Sequence, residues 1–294
     1  MEASEPVRRT LEIEEATNRY FIHPVAGWLV PIFARLGIHP NTVSLAGMAF
    51  GILAALAYYH YQSPYAAITG FILMIAWHIM DGADGQLARL TKKQSATGKV
   101  LDGICDYVTF IAVYSALAIA LSRTHGNVIW LLAIAAGVCH AVQSAAYEVQ
   151  RQEYSFWGLG RKSAALLELT APPASLQPAL GLQRVLAAFD RAYVGVQLRT
   201  SGVTREFHEK LAAVIAPSLG YDAPARCRYR EIFAPLVRRW SVMSANYRTL
   251  GIFIFASVGA PDYYFWFEII GFSAISLLLL RMRRARYELF FRTF

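Results

Sequence analysis

Four aspartates stand in two pairs, Asp81 with Asp84 and Asp102 with Asp106, inside the stretch DGADGQLARLTKKQSATGKVLDGICD. Spacings of three and four residues put both carboxylates of each pair on one face of a helix, a turn apart. The polar run TKKQSAT between them turns the chain back, so the two pairs can face each other across an antiparallel helix pair. Four like charges in partly apolar surroundings repel strongly, and each is costly to desolvate. Protonation of some of them, or divalent cations among them, would relieve that. Ligands offering only oxygen favour a hard ion, Mg²⁺ or Mn²⁺; Cys105 and His78 are near in sequence but share neither carboxylate spacing. Two such ions about 3.5–4 Å apart would suit an in-line phosphoryl displacement. Gly82, Gly85, Gly98 and Gly103, with Ala88, keep the surface around the carboxylates small, which lets helices and a phosphate approach closely. Arg89 offers a planar guanidinium that suits a diphosphate, and Lys92 and Lys93 follow it.

Composition says where such residues must be held. The 294-residue chain is 56% hydrophobic and only 16% charged, with mean hydropathy +0.36, whereas a soluble protein carries about 25% charged residues. This is the balance of a membrane protein. The net charge of +8 sits mainly at segment ends, which points to anionic lipid and phosphorylated substrates as partners and not to nucleic acid. The three cysteines, Cys105, Cys139 and Cys227, form no CxxC pair and no even framework. The charged N-terminus lacks an apolar run of signal-peptide type, so insertion is expected to use internal segments.

Six segments approach the roughly 20 apolar residues that span a bilayer: 41–61, 65–90, 98–121, 127–150, 247–258 and 263–280. Asn41 is the expected N-cap of the first. Lysine and arginine alternate with the loops. The connections at 62–64 and 259–262 hold none and that at 122–126 holds only Arg123, whereas Lys92, Lys93, the arginines of 151–246 and those after 280 lie on the other side. The expectation is an all-α integral membrane protein of six transmembrane helices, with both termini cytoplasmic. Its four parts are a cytoplasmic N-terminus with an interfacial amphipathic helix at 1–40, four spans carrying the carboxylates at 41–150, a helical cytoplasmic insertion between helices 4 and 5 at 151–246, and two spans with a basic C-terminus at 247–294. The interfacial helix is read from NRYFIHPVAGWLVPIFARLGIHP, where aromatic and aliphatic residues alternate with Arg19, His23 and Arg35. The insertion shows apolar residues at helical spacing in LQRVLAAFDRAYVGVQLR, TREFHEKLAAVIA and RYREIFAPLVRRWSVM, with Pro172, Pro173 and Pro178 interrupting the stretch before them.

Eight positions now form a pattern, D-x2-D-G-x2-A-R-x8-G-x3-D-x3-D, filled by Asp81, Asp84, Gly85, Ala88, Arg89, Gly98, Asp102 and Asp106. A chance match at eight fixed positions is on the order of one in a billion per start site, so the pattern is informative where single residues are not. It resembles the signature of the CDP-alcohol phosphotransferases, class I, and HPNTVSLAG resembles that family's opening of the first span. The resemblance covers the first four spans and leaves out 151–246. It implies transfer of a phospho-alcohol group from a CDP-alcohol to an acceptor hydroxyl, with release of CMP, in phospholipid biosynthesis. Asp81, Asp84, Asp102 and Asp106 would be the metal ligands, for two Mg²⁺ or Mn²⁺ ions, and Asp106 the catalytic general base. Asp81, Gly85, Ala88, Arg89 and Gly98 would line the cytidine and diphosphate site. It also implies a homodimer in the inner (plasma) membrane with the site open to the cytoplasmic leaflet. The expected donor is CDP-diacylglycerol with a polar acceptor; the reverse, a CDP-linked head group with a lipid acceptor, stays open.

Other residues have plainer readings beside a functional one. His78 lies one turn before Asp81 and reads as a helix-interface histidine rather than a group orienting a ligand. His140, Gln143 and Tyr147 recur at helical spacing and lead to Arg151; they are a candidate acceptor pocket or polar contacts between helices. Tyr263, Tyr264, Phe265 and Trp266 read as an interfacial belt, and RMRRAR as a stop signal and lipid-facing basic patch. A cation- or proton-coupled transporter would also explain intramembrane carboxylates, but not Arg89 and the glycine spacing. A purely structural scaffold would leave four carboxylates unexplained.

Overall fold

The computed structural model describes residues 11–161, 164, 195, 199–215 and 220–293, and the regular structure among them is entirely helical. The expected helix at 182–199 and the proline-rich run before it lie almost wholly outside the described residues, as do the first ten. A π-helical turn, Asn18–Ile22, leads into α1 (His23–Arg35), followed by α2 (Pro40–Tyr59), α3 (Pro64–Leu90), α4 (Ala96–His125) and α5 (Ile129–Glu153). Beyond the insertion's first part come α6 (Arg205–Ile215), α7 (Pro224–Trp240), α8 (Ala245–Ser257), α9 (Pro261–Trp266) and α10 (Phe272–Phe291). Among the described residues, four stretches are long and apolar enough to cross a membrane: Pro40–Tyr59, Pro64–Leu90, Thr97–Gly158 and Pro261–Phe291. The third, 62 residues long, contains both α4 and α5, parted at Gly126, whose φ of +66° few residues but glycine adopt. The expected fifth span corresponds to α8, whose 13 residues reach only about 20 Å.

The chain divides into two compact units, residues 1–138 with 245–269, and residues 139–244 with 270–294. In the first, α3 and α4 each pack on α2. Their core gathers Tyr58, Met74, Trp77, Phe110, Tyr114 and Leu117, joined by Ile252, Tyr264 and Phe265. Trp77 meets Phe110 edge to face at 5.4 Å. Helices α2 and α4 approach closely at Gly51, where any Cβ would collide with Thr109. On α1, Ala26 and Val30 pack against Ala83 and Leu87 of α3 and Val43 of α2, while Tyr20, Trp28, Ile32 and Leu36 on its other side are exposed. Such a face is what an interfacial helix needs.

The starts and turns place the carboxylates. His39, not Asn41, caps α2: its Nδ1 accepts from the Asn41 N–H at 3.2 Å, and Pro40 takes the first helical position, where its missing N–H costs nothing. Helix α3 ends in a tight turn, with the Lys93 N–H on the Ala88 carbonyl at 2.9 Å and Lys92 at φ +54°. Ser95 then caps α4, its Oγ accepting from the Gly98 N–H at 3.0 Å. The expected helix–turn–helix between the two aspartate pairs is therefore present.

The second unit holds the end of α5, a π-helical turn Tyr154–Gly158, α6, α7 and α10. Two of the three amphipathic stretches expected in the insertion are helices here, as α6 and α7. Aromatic rings fill the unit: Phe207 stacks on Tyr287 at 4.8 Å, and Tyr229 on Phe233 at 4.4 Å. Among them lies a buried polar group. Arg283 donates from Nη1 to the Ser201 carbonyl at 2.6 Å and from Nη2 to the Tyr287 hydroxyl at 2.7 Å, and Nη2 lies 3.8 Å from Glu153 Oε2. Glu153 also accepts from Trp157 Nε1 at 3.2 Å and faces His208 Nδ1 at 3.6 Å.

Candidate active site

Helices α3 and α4 bring the carboxylates together as their spacing implies. Ligand oxygens of Asp81, Asp102 and Asp106 all lie within 4.8 Å of one another. Asp84 belongs to the same cleft but is more deeply buried, and its Oδ2 accepts a hydrogen bond from Ser44 Oγ on α2. Asp81, Asp84 and Asp106 all lie near enough to act electrostatically on Asp102. The cleft is lined by Ser44, Gly47, Trp77, Asp81, Asp84, Asp102, Cys105 and Asp106.

Four of those lining residues were not singled out by their chemistry in the sequence. Ser44 and Gly47 come from α2, and only packing brings them to α3 and α4; the one local hint was their three-residue spacing at the opening of the first span. Trp77 forms a wall from one turn before Asp81. Cys105 does not share the carboxylate spacing, yet on a helix 102, 105 and 106 lie on one face, and it borders the cleft. It is buried.

The glycines around the carboxylates divide. A Cβ at Gly85 would lie 3.4 Å from Arg89 Nη1, so the guanidinium folds back along α3 over that glycine. Gly98 sits in the first turn of α4, where a Cβ would lie 3.2 Å from Asn41 Oδ1. Gly82 faces α1, near His23, Ile22 and Ala26, so its smallness serves helix packing and not ligand approach. Gly103 faces open space. Gly85, Ala88 and Arg89 come one, four and five residues after Asp84 on α3 and are not part of the carboxylate lining itself.

His78 points away from the carboxylates, with Nε2 2.9 Å from Thr249 Oγ1 on α8, in keeping with an interface histidine. The candidate acceptor residues His140, Gln143, Tyr147 and Arg151 lie on the part of α5 in the second unit. There Gln143 Nε2 donates to Ser273 Oγ at 3.2 Å, and Arg151 pairs with Glu148 at 3.0 Å and covers the Tyr147 ring.

The donor set fits a hard divalent cation. Three carboxylate oxygens converge with no imidazole in the cleft lining, and a shared cation offsets a repulsion that solvent reaches poorly.

Apolar helices of spanning length around a carboxylate cleft define an integral membrane protein with an acidic, phosphate-compatible site. Comparison with known proteins gives that class its name. The family model for CDP-alcohol phosphatidyltransferases matches residues 37–195, more than half of the chain, and the protein belongs to that family of transferases. Cholinephosphotransferase 1 of Gallus gallus is 30% identical over 120 residues, 38% of this chain and 35% of the relative. The chain thus spans about a third of the length of that curated relative.

Proposed function

We propose that this protein transfers a phospho-alcohol group from a CDP-alcohol to an acceptor hydroxyl and releases CMP, in phospholipid biosynthesis. The convergence of Asp81, Asp84, Asp102 and Asp106 in one cleft is the observation that carries this reading. Asp81, Asp102 and Asp106, with Asp84 steadied by Ser44, would hold one or two Mg²⁺ or Mn²⁺ ions. Bound there, the metal would neutralise charge on the diphosphate and on the departing CMP. Arg89, lying over Gly85, supplies a fixed cation to the diphosphate, and Gly98, with Asn41 close by, would border the nucleotide. Asp106 accepts the proton of the acceptor hydroxyl. The acceptor oxygen then bonds to the phosphorus distal to cytidine, that phosphorus parts from the bridging oxygen, and CMP leaves with it.

The first assignment of substrates is CDP-diacylglycerol with a polar acceptor, bound near His140, Gln143, Tyr147 and Arg151. A second arrangement, a CDP-linked head group with a lipid acceptor, is favoured by the name of the avian relative. The molecule would work as a homodimer in the inner membrane. Six spans would result from division of the long third stretch into α4 and α5, with α8 as the fifth span. Both termini would then be cytoplasmic.

The test is CMP release by purified protein in nanodiscs with Mg²⁺ or Mn²⁺, using both donor types against a panel of acceptors. Asp106→Asn should lose transfer by about 10²-fold or more while remaining monodisperse. Full activity in that variant would remove Asp106 as the base. No CMP release from any pair, with no nucleotide-dependent thermal shift, would favour the transporter reading.

A further inference from the structure

A line of buried polar contacts in the first unit ends one turn from Asp81. It begins at Glu268 and Arg248, both fully buried, with Arg248 Nε donating to Glu268 Oε1 at 3.0 Å. The other carboxylate oxygen accepts from Tyr264 at 2.7 Å and from Tyr114 of α4 at 3.3 Å. An ion pair in such surroundings cannot open without leaving a buried charge unpartnered, so it holds α8 at one depth and one rotation. The next residue on α8 is Thr249, 1% exposed, whose hydroxyl meets His78 of α3 at 2.9 Å.

Helices α8 and α3 touch at a second place, where Phe253 stacks on Phe71 at 4.4 Å. Taken together the two contacts run the helices antiparallel, with an apolar contact at one level and a polar one at the other. The stacked rings provide attraction with little directional demand. The hydrogen bond has a length and an angle, and so defines how α3 is turned about its axis. His78 precedes Asp81 by three residues, and Trp77 beside it forms a wall of the carboxylate cleft. A rotation of α3 at His78 would carry Asp81 and Trp77 with it.

We propose that Thr249 and His78 are positioning residues, through which the Arg248–Glu268 pair fixes the rotation of α3 and so the place of the Asp81 carboxylate among Asp102 and Asp106. The proposal rests on the reading of Asp81 as a metal ligand. It makes α8 part of the active-site machinery although α8 contributes nothing to the cleft lining.

The test is Mn²⁺ binding followed by electron paramagnetic resonance, on monodisperse protein in nanodiscs without substrate. Thr249→Val should weaken Mn²⁺ binding about tenfold, as loss of a group that orients a ligand does, and Thr249→Ser should restore it. Thr249→Ala replaces the valine variant if that one does not stay monodisperse. Wild-type Mn²⁺ affinity in the variant, whatever its melting temperature, overturns the proposal, since a merely structural contact would change stability alone. Absence of saturable Mn²⁺ binding in the unsubstituted protein overturns it as well. Mn²⁺ binding that follows the expected order in a protein that releases no CMP would sustain the positioning role and count against the transferase reading only.

Discussion

Ser44 shows how much of the site is decided by single atoms outside the motif. Its hydroxyl is the donor on Asp84, the most buried of the four carboxylates. A carboxylate free to turn is a poor ligand, and the Ser44 hydroxyl, beside a backbone hydrogen bond at Gly85, holds this one. Ser44→Ala is therefore expected to raise the Mg²⁺ or Mn²⁺ concentration giving half-maximal CMP release by about tenfold, with Ser44→Thr close to the parent; equal metal dependence in all three would remove the role. The aspartates could be found in the sequence because their spacing repeats that of a helix, and their neighbour Arg89 because it follows at a fixed offset. Ser44 could not, because a serine near the start of an apolar segment looks like any other until α2 is packed. Gly82 was legible as a small residue but not as to its purpose, since smallness alone does not say whether a helix or a ligand comes near.

At the level of elements, apolar length and turn chemistry located α2, α3 and the α3–α4 hairpin well, and the expected amphipathic runs appear as α6 and α7. The sequence said less about what these helices do with their charges. Glu153 and Arg283 lie far apart in the chain, each among other polar or charged residues, and nothing local marks them as partners; only the folded second unit sets them 3.8 Å apart with His208 beside them. Removing one member of a buried pair strands the other, at a cost of about 3–5 kcal/mol. Arg283→Met should accordingly lower the melting temperature in detergent markedly, and adding Glu153→Gln should recover most of the loss, because the glutamine keeps an acceptor for Trp157 and leaves no charge. A double variant as unstable as the single one would show that the arginine acts through the Ser201 carbonyl and not through the ion pair. The expected segment 247–258 matches α8 in place and length, but its apolar run reads as a span while 13 residues are too short by themselves to cross a bilayer.

For the whole molecule, the asymmetric distribution of lysine and arginine was the main guide to orientation, and it bears on a reading with six crossings. In a chain whose three native cysteines are replaced by alanine, Ser63→Cys should react with an impermeant maleimide from the face of sealed vesicles opposite to that from which Lys93→Cys and Arg292→Cys react. Labelling of all three from one face would leave no room for six crossings. The two compact units could not be separated by composition, because both mix apolar helices with arginine. The carboxylate cleft, by contrast, is confined to the first unit but not to the motif. Someone wishing to transplant this chemistry into a designed helical bundle would naturally cut out residues 81–106, which carry every residue of the motif. The graft would arrive without the serine that steadies its most buried acid and without the glycine beside it, because both travel on α2; the smallest portable cassette is three helices.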